Sequence, residues 1–290
     1  MSIRINEDRL KGPIEEAIEE NENLKDISAA PGSLKFITPT ELVDLPSKGL
    51  FYREGHPLRN QETVEIKHMT TKEEDILTSV TLLRKGLALD RMLENILVNR
   101  KIKVDDLLSG DKSALIVAAR IHGYGAEYET AVDCPHCQDN QTYSFELNSL
   151  NTHFPGEEFM KEHKIERTDA GTFLIPLPTT QYTIETKLLT GHDEKKISET
   201  KEYKKKKNFP ETYASDYLRF IIVSINGIEN EASINEFIDS LPAIHARHLR
   251  KLYDNLSPSL DMKHSFRCSS CDYEGVLEVP LTANFFWSNT

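Results

Sequence analysis

Apolar residues recur at helical spacing in three neighbouring segments of the chain. In the first segment, Thr71 and Glu74 are spaced as a capping box, and Gly86 follows the last apolar residue as a C-terminal stop. The apolar positions between them are Ile76, Leu77, Val80, Leu82 and Leu83. A second helix is predicted over about 90–99, and a third begins near Asp111 and ends at the glycines of IHGYG. The pattern predicts a helical subdomain.

Short segments with alternating polarity predict β-structure elsewhere. ETVEIKHM alternates, and TFLIPL and QYTIETKLL bracket a turn at Pro178, Thr179 and Thr180. Alternating segments also accompany two pairs of cysteines, where AEYETAV precedes Cys134 and YEGVLEV follows Cys271. These segments predict β-hairpins with cysteines in their turns.

The C-terminal half adds further helices to these strands. HDEKKISETKEYKKKKN is typical of a helix with a solvated face, and an amphipathic helix is predicted from about Tyr213 to Ser224. Ser233 and Glu236 are spaced as another capping box, and Pro242 is suited to the first turn of a last helix. The segments together predict an α+β fold.

The four cysteines occur as two pairs with identical CxxC spacing, Cys134 with Cys137 and Cys268 with Cys271. A CxxC pair serves either in thiol redox chemistry or as half of a zinc site. In thioredoxin-like oxidants the pair lies at the start of a helix, whose N-terminal amides lower the pKa of the first thiol. Here both pairs lie in predicted hairpin turns, which favours the two knuckles of a zinc ribbon.

The expected zinc ribbon is split, because roughly 130 residues separate its knuckles where about 12 to 20 are usual. The entropic cost of closing such a loop grows only logarithmically with its length if the intervening part folds by itself. We expect one structural Zn²⁺ ion with four thiolate ligands, Cys134, Cys137, Cys268 and Cys271. His136 and His264 are then bystanders. Two unconnected structural turns are one alternative, and a dithiol oxidoreductase using the first pair is another.

Composition narrows the classes of partner and activity. The chain has 290 residues, of which 38% are hydrophobic, so it can bury a substantial core. Its 35 basic and 47 acidic side chains give a net charge of −12, which argues against nucleic acid or an anionic membrane as the main partner. A zinc-ribbon module that binds nucleic acid is therefore kept as an alternative function and is not the expected one. We find no secretion signal, membrane span or catalytic motif, and we expect a non-enzymatic protein of a reducing cytoplasm.

The two ends of the chain are expected to contribute to protein–protein contacts. Residues 1–36 form an acidic arm with few large apolar side chains, which we expect to be mobile in the isolated protein and to order against a partner. Phe285, Phe286 and Trp287 are too apolar to remain in water. We expect them to form a docking element, with packing inside this chain as the alternative.

Five segments of the chain together resemble a known protein family. They are LPSKGLFY, HMTTKEEDIL, SGDKSALIVAARIHGYG, CPHC after an alternating strand, and the terminal CSSC hairpin that ends in FFW. In this combination they are similar to the baseplate hub and hub-assembly proteins of T-even-type contractile-tail bacteriophages. The resemblance is firmest from Pro46 to Leu147 and returns at the C-terminal knuckle.

The resemblance implies a structural or assembly role in the central hub of the tail baseplate, with other hub proteins as partners and without enzymatic activity. It implies the host cytoplasm during assembly, and the virion tail if the chain is a virion subunit. An oligomer or a hetero-complex is expected. The expected organisation is an acidic arm (1–36), a helical subdomain with the first knuckle (37–150), a mixed α/β insertion (151–259), and the second knuckle hairpin with the aromatic C-terminus (260–290).

Overall fold

The computed structural model describes residues 37–210, 212–281 and 283–286. The predicted acidic arm and Trp287 of the predicted docking element lie outside the described residues. The described residues from Pro39 onward belong to one compact unit, Pro39–Thr290.

Nine α-helices occur within the described ranges. They are α1 (Thr71–Thr78), α2 (Val80–Arg84), α3 (Ala88–Ile96), α4 (Ser109–Tyr124), α5 (Glu157–Glu162), α6 (Gly191–Lys206), α7 (Tyr213–Ile221), α8 (Glu231–Ser240) and α9 (Ala243–Leu256). Short 3₁₀ helices lie at Val104–Asp106, Leu147–Ser149 and Ala283–Phe286. Every helix in this part of the chain is too short or too polar to cross a bilayer.

Twelve strands in the same residues form small antiparallel sheets. They are β1 (Thr40–Asp44), β2 (Thr63–Lys67), β3 (Glu127–Asp133), β4 (Asn140–Glu146), β5 (Asn151–His153), β6 (Glu166–Arg167), β7 (Phe173–Pro176), β8 (Thr183–Thr186), β9 (Ile222–Ile225), β10 (Ser259–Asp261), β11 (Lys263–Arg267) and β12 (Glu274–Glu278). Strands β6, β7, β8 and β9 form one sheet in that order, and the others pair as β1–β2, β3–β4, β5–β10 and β11–β12. The predicted α+β class is confirmed.

The first predicted helix is two short helices rather than one. Ser79 separates α1 from α2 with an extended backbone, at φ −63° and ψ 107°. The capping box is formed by Thr70 and Glu73, one residue before the predicted pair of Thr71 and Glu74. An N-cap residue needs extended backbone angles, which Thr70 adopts, whereas Thr71 is already helical.

Two predictions in the C-terminal half are also corrected. The helix predicted to reach Ser224 ends at Ile221, and Ile222–Ile225 instead form β9, which pairs with β8. Isoleucine and valine dominate this stretch, and β-branched side chains favour a strand when a sheet edge is there to pair with. The cap of α8 is Asn230 rather than the predicted Ser233, because the Asn230 side-chain carbonyl accepts a hydrogen bond from the Ser233 N–H at 3.0 Å.

Helix α4 is held in the core by a buried carboxylate at its N-terminal end. The Asp111 carboxylate accepts hydrogen bonds from the Ser47 N–H at 2.9 Å, the Ser47 hydroxyl at 2.6 Å and the Tyr52 hydroxyl at 2.7 Å. Burial raises the pKa of Asp111, although these hydrogen bonds lower it in part. The three bonds attach the irregular segment around Ser47 to the start of α4.

Phe285 and Phe286 pack inside this chain, so the expected docking role is wrong for these two residues. Both side chains are 0% exposed. Phe285 contacts Tyr128 of β3 edge to face with ring centroids 4.9 Å apart, and Phe286 contacts Tyr124 of α4 at 6.2 Å. The two rings pack between α4 and β3. Their burial removes apolar surface from water, which stabilises the fold.

Candidate metal centre

Two antiparallel hairpins carry the four cysteines. Strands β3 and β4 are paired as far as Asp133 and Asn140, and β11 and β12 are paired as far as Arg267 and Glu274. Each hairpin turn begins with the first cysteine of a CxxC pair. Both pairs therefore lie at hairpin tips, where the alternating segments of the sequence predict them.

Backbone hydrogen bonds around Cys134 shape the first turn. The Cys134 N–H donates to the carbonyl of Asp139 at 2.9 Å, and the Cys134 carbonyl accepts from the N–H of Gln138 at 2.9 Å. These two bonds close the chain into a knuckle. As a result, the Sγ atoms of Cys134 and Cys137 lie within 4.8 Å of each other.

The second turn repeats the hydrogen bonds of the first. The Cys268 N–H donates to the carbonyl of Tyr273 at 2.9 Å, and the Cys268 carbonyl accepts from the N–H of Asp272 at 3.1 Å. Gln138 and Asp272 hold equivalent positions and both have a positive φ, of 60° and 54°. Because a positive φ is uncommon outside glycine, its recurrence indicates that both turns share one backbone conformation.

The two knuckles face each other and bring their thiols together. The Sγ atom of Cys134 lies 3.8 Å from that of Cys271, and the Sγ atom of Cys137 lies 3.7 Å from that of Cys268. All four sulfur atoms lie within 4.8 Å of one another. Four thiolates arranged tetrahedrally at about 2.3 Å from a zinc ion are about 3.8 Å apart. The spacing across the knuckles fits that arrangement.

Contacts between the hairpins support the spacing of the thiols. Tyr143 of β4 packs edge to face against Phe266 of β11, with ring centroids 5.5 Å apart. At the tips, the Ser269 N–H donates to the side-chain carbonyl of Gln141 at 3.1 Å. The hairpins therefore contact each other through apolar and polar groups as well as through the cysteines.

The thiols differ in their tendency to ionise. Burial raises the pKa of Cys134, but hydrogen bonds from the backbone of Cys137 and His136 lower it to about 6. At Cys271, a backbone hydrogen bond from Tyr273 lowers the pKa, whereas burial and the neighbouring thiols raise it, to about 12. A divalent cation would supply the charge that lets all four thiols bind as thiolates, with release of protons.

The two histidines close to the knuckles in sequence have other contacts. His136 stacks on Tyr273 with ring centroids 5.7 Å apart and an angle of 7° between the rings. His264 lies with its Nδ1 atom 3.5 Å from the hydroxyl of Tyr143. The thiol cluster contains neither imidazole. That both histidines are bystanders to the metal stays a prediction.

A second cluster of potential metal ligands lies elsewhere in the described part of the chain. Glu41 of β1, His68 directly after β2, and His122 of α4 place a carboxylate oxygen and two imidazole nitrogens within 4.8 Å of one another. Sequence reasoning missed this cluster, because its members come from three distant segments and no spacing motif connects them. Only the packing of α4 against the β1–β2 pair brings them together.

The fold and the thiol cluster define an α+β protein in which two knuckle hairpins, distant in sequence, form one candidate metal centre. Residues 40–287 match the model of a family described as T4 bacteriophage base plate protein, and the chain belongs to this family. The resemblance seen in the sequence is confirmed at this level. Comparisons with curated proteins and with solved structures found no match. Family membership supports a structural role in the phage tail baseplate, in contact with other baseplate proteins.

Proposed function

We propose that this chain acts in the central hub of the baseplate, either as a virion subunit or as a factor that helps the hub to assemble. Membership of the T4 bacteriophage base plate family carries this proposal. The chain acts through protein–protein contacts and without catalysis. It is present in the host cytoplasm during assembly and meets its hub partners there.

We also propose that the chain binds one structural Zn²⁺ ion through four thiolates, those of Cys134, Cys137, Cys268 and Cys271. The sulfur spacing of 3.7 and 3.8 Å across the knuckles is the observation that carries this proposal. Four cysteine ligands fill a tetrahedral zinc site completely, so no coordination position is left for a catalytic water. The role of the ion is therefore to hold the hairpins together.

The proposed ion links parts of the chain that are far apart in sequence. Cys137 and Cys268 are separated by 131 positions. Binding at both knuckles adds the free energy of metal binding to that of folding, since the unfolded chain does not present the four thiolates together. Zinc thereby fixes the C-terminal hairpin to the first hairpin and gives hub partners one rigid surface.

The geometry supports zinc binding over dithiol redox chemistry. Redox CxxC pairs sit at the start of a helix, whose amides activate the first thiol. Here β4 follows Cys137 and β12 follows Cys271. Each cysteine also has a thiol of the other hairpin within 4 Å. The Sγ atoms of Cys134 and Cys271 lie 3.8 Å apart, and those of Cys137 and Cys268 lie 3.7 Å apart. This arrangement matches a shared ion better than a disulfide within one pair.

Metal analysis of the purified chain tests the zinc proposal. We expect the first equivalent of zinc to bind at the four thiols, and X-ray absorption at one equivalent to show four sulfur neighbours at about 2.3 Å. Cys134→Ser should abolish this sulfur-only zinc binding. His136→Ala is the matched control, because it changes a residue of the same turn that is not a proposed ligand. Nitrogen in the first coordination shell, or a protein that folds without zinc and cycles between dithiol and disulfide, would contradict the proposal.

Mass spectrometry of purified phage particles and of hub intermediates tests the assembly proposal. Detection of the chain in finished tails would identify it as a virion subunit. Detection in hub intermediates alone would identify it as an assembly factor. Its absence from both, or binding of the isolated chain to nucleic acid with strong dependence on salt, would overturn the hub role. Zinc content is measured separately, so failure of one proposal is distinguishable from failure of the other.

A further inference from the structure

Glu41, His68 and His122 meet where the β1–β2 pair contacts the C-terminal end of α4. Glu41 is paired with Ile66 in the antiparallel β1–β2 register, so His68, two positions after Ile66, is a diagonal neighbour of Glu41 on the same face. His122 lies in the last turn of α4. The Glu41 carboxylate lies 2.9 Å from Nδ1 of His122 and 3.6 Å from Nε2 of His68.

These distances fit a shared cation. Metal–nitrogen and metal–oxygen bonds of about 2.1 Å in a tetrahedral site place the ligand atoms about 3.4 Å apart. The 2.9 and 3.6 Å separations lie on either side of that value, and all three ligand atoms are within 4.8 Å of one another. The three side chains are partly exposed, so they can adjust to bring their ligand atoms onto one ion.

The two imidazoles lie against each other beside a single carboxylate. The rings of His68 and His122 stack with centroids 5.2 Å apart and an angle of 15° between the rings. Two imidazole nitrogens and one carboxylate oxygen within 4.8 Å of one another form a set of three ligands for one divalent cation.

We propose that Glu41, His68 and His122 form a second metal site, which binds a divalent transition-metal ion such as Zn²⁺ or Co²⁺. Two imidazole nitrogens and one carboxylate oxygen suit these ions better than Mg²⁺ or Ca²⁺, which prefer oxygen ligands. The side chains are 43%, 34% and 21% exposed, in the order Glu41, His68, His122, so the ion is accessible and water completes its coordination. The bound ion joins the β1–β2 pair to α4.

The end of α4 contacts the segment that carries His68. The Cε atom of Met69 lies 2.5 Å from where a Cβ atom at Gly123 would stand, so the Met69 side chain packs against the backbone of Gly123. Gly123 directly follows His122, and Met69 directly follows His68. The packing of Met69 on Gly123 therefore lies directly beside the two imidazoles.

Cobalt binding to the full chain, loaded beforehand with one equivalent of Zn²⁺ for the four thiols, tests the proposal. We expect calorimetry to detect one equivalent of Co²⁺, and absorption spectra to show weak d–d bands without the intense charge-transfer band of thiolate ligation. His122→Ala and Glu41→Gln should each weaken binding at least tenfold, since even the loss of an outer-shell partner costs roughly 10- to 100-fold in affinity. Because all three side chains are partly exposed, these variants should remain folded, which thermal melting checks.

His192→Ala provides the matched control, because His192 is an exposed histidine on α6 away from the cluster. This variant should bind Co²⁺ like the unchanged chain. The proposal is overturned if no equivalent binds, if all bound cobalt shows thiolate charge transfer, or if the His122→Ala and His192→Ala variants bind equally well.

Discussion

The Nε–H of Arg120 donates a hydrogen bond to the backbone carbonyl of Phe285 at 3.0 Å, across a separation of 165 residues. The same guanidinium donates to the carbonyl of Gly125 at 2.6 Å and to that of Glu127 at 3.1 Å. Arg120 is only 1% exposed. One buried side chain of α4 therefore holds both the start of the first knuckle hairpin and the segment that follows the second.

Arg120→Ala should lower the free energy of unfolding by about 3 to 5 kcal/mol, because it leaves three carbonyls without their donor and opens a cavity. Arg120→Lys should restore little of this loss, since an ammonium group cannot reproduce the planar fork of donors. Chemical denaturation of the zinc-loaded chain measures both effects. Arg91→Ala is the control, because Arg91 pairs with Glu94 at the surface and its loss should cost less than about 1 kcal/mol. Equal effects of the Arg120→Ala and Arg91→Ala changes would contradict the role given to Arg120.

Cys134→Ser should loosen the distant C-terminal hairpin as well as its own turn. If the four thiols share one ion, loss of one ligand releases the ion from both knuckles. Hydrogen exchange should therefore become faster in β11 and β12, not only in β3 and β4. Ser144→Ala changes an exposed hydroxyl of β4 that bonds Glu127, and it should leave the protection of β11 and β12 unchanged. Faster exchange confined to the first hairpin would mean that the knuckles are not coupled.

Stability should depend on pH through Asp90 of α3. Its carboxylate contacts Nζ of Lys112 at 2.9 Å and Nζ of Lys195 at 2.9 Å. Burial raises the pKa of Asp90, but hydrogen bonds and charges from the two lysines lower it by a larger amount. The folded-state pKa therefore lies below the ordinary value. Asp90 therefore stabilises the fold above the unfolded-state pKa of about 3.9, and this contribution is lost as the pH falls through the folded-state pKa.

Asp90→Asn should lower the free energy of unfolding by about 1.5 to 3 kcal/mol at neutral pH, with a smaller difference below about pH 4. Denaturant unfolding at several pH values measures this dependence. Asp75→Asn, at an exposed position of α1, should change stability little at any pH. A difference between the unchanged chain and Asp90→Asn that grows on acidification would have the wrong sign for this argument.

Gly110→Ala should destabilise the protein although alanine is the better helix former. A Cβ atom at this position of α4 would collide with the carbonyl oxygen of Pro258 and approach the Cα atom of Ser259 to 2.9 Å. Separating these backbones should cost about 1 to 3 kcal/mol, as overpacking does. Gly156→Ala is the control, since no atom lies within 4 Å of a Cβ there. Thermal melting should show a clear decrease for Gly110→Ala alone.

Local signals in the sequence were sufficient for much of the secondary structure and for the identity of the candidate ligands. The alternation on both sides of Cys134 and the run before Gly125 predict β3 and α4, and the structure contains both. The repeated CxxC spacing singled out the thiols that the structure brings together. The ends of the helices and strands were less predictable. The break at Ser79 and the strand β9 depend on neighbouring elements rather than on the local periodicity.

The sequence by itself determined the α+β class, the hairpin turns with their cysteines, and the family resemblance, because each of these is read from short segments whose residues lie within a few positions of one another. Only the tertiary structure decided that the knuckles face each other, that Phe285 packs against Tyr128, and that His68 and His122 meet at Glu41. Capping, turn chemistry and hydrophobic period act over one or two turns of chain. Contacts between distant parts of the chain depend on how buried surfaces fit together, which no local pattern records.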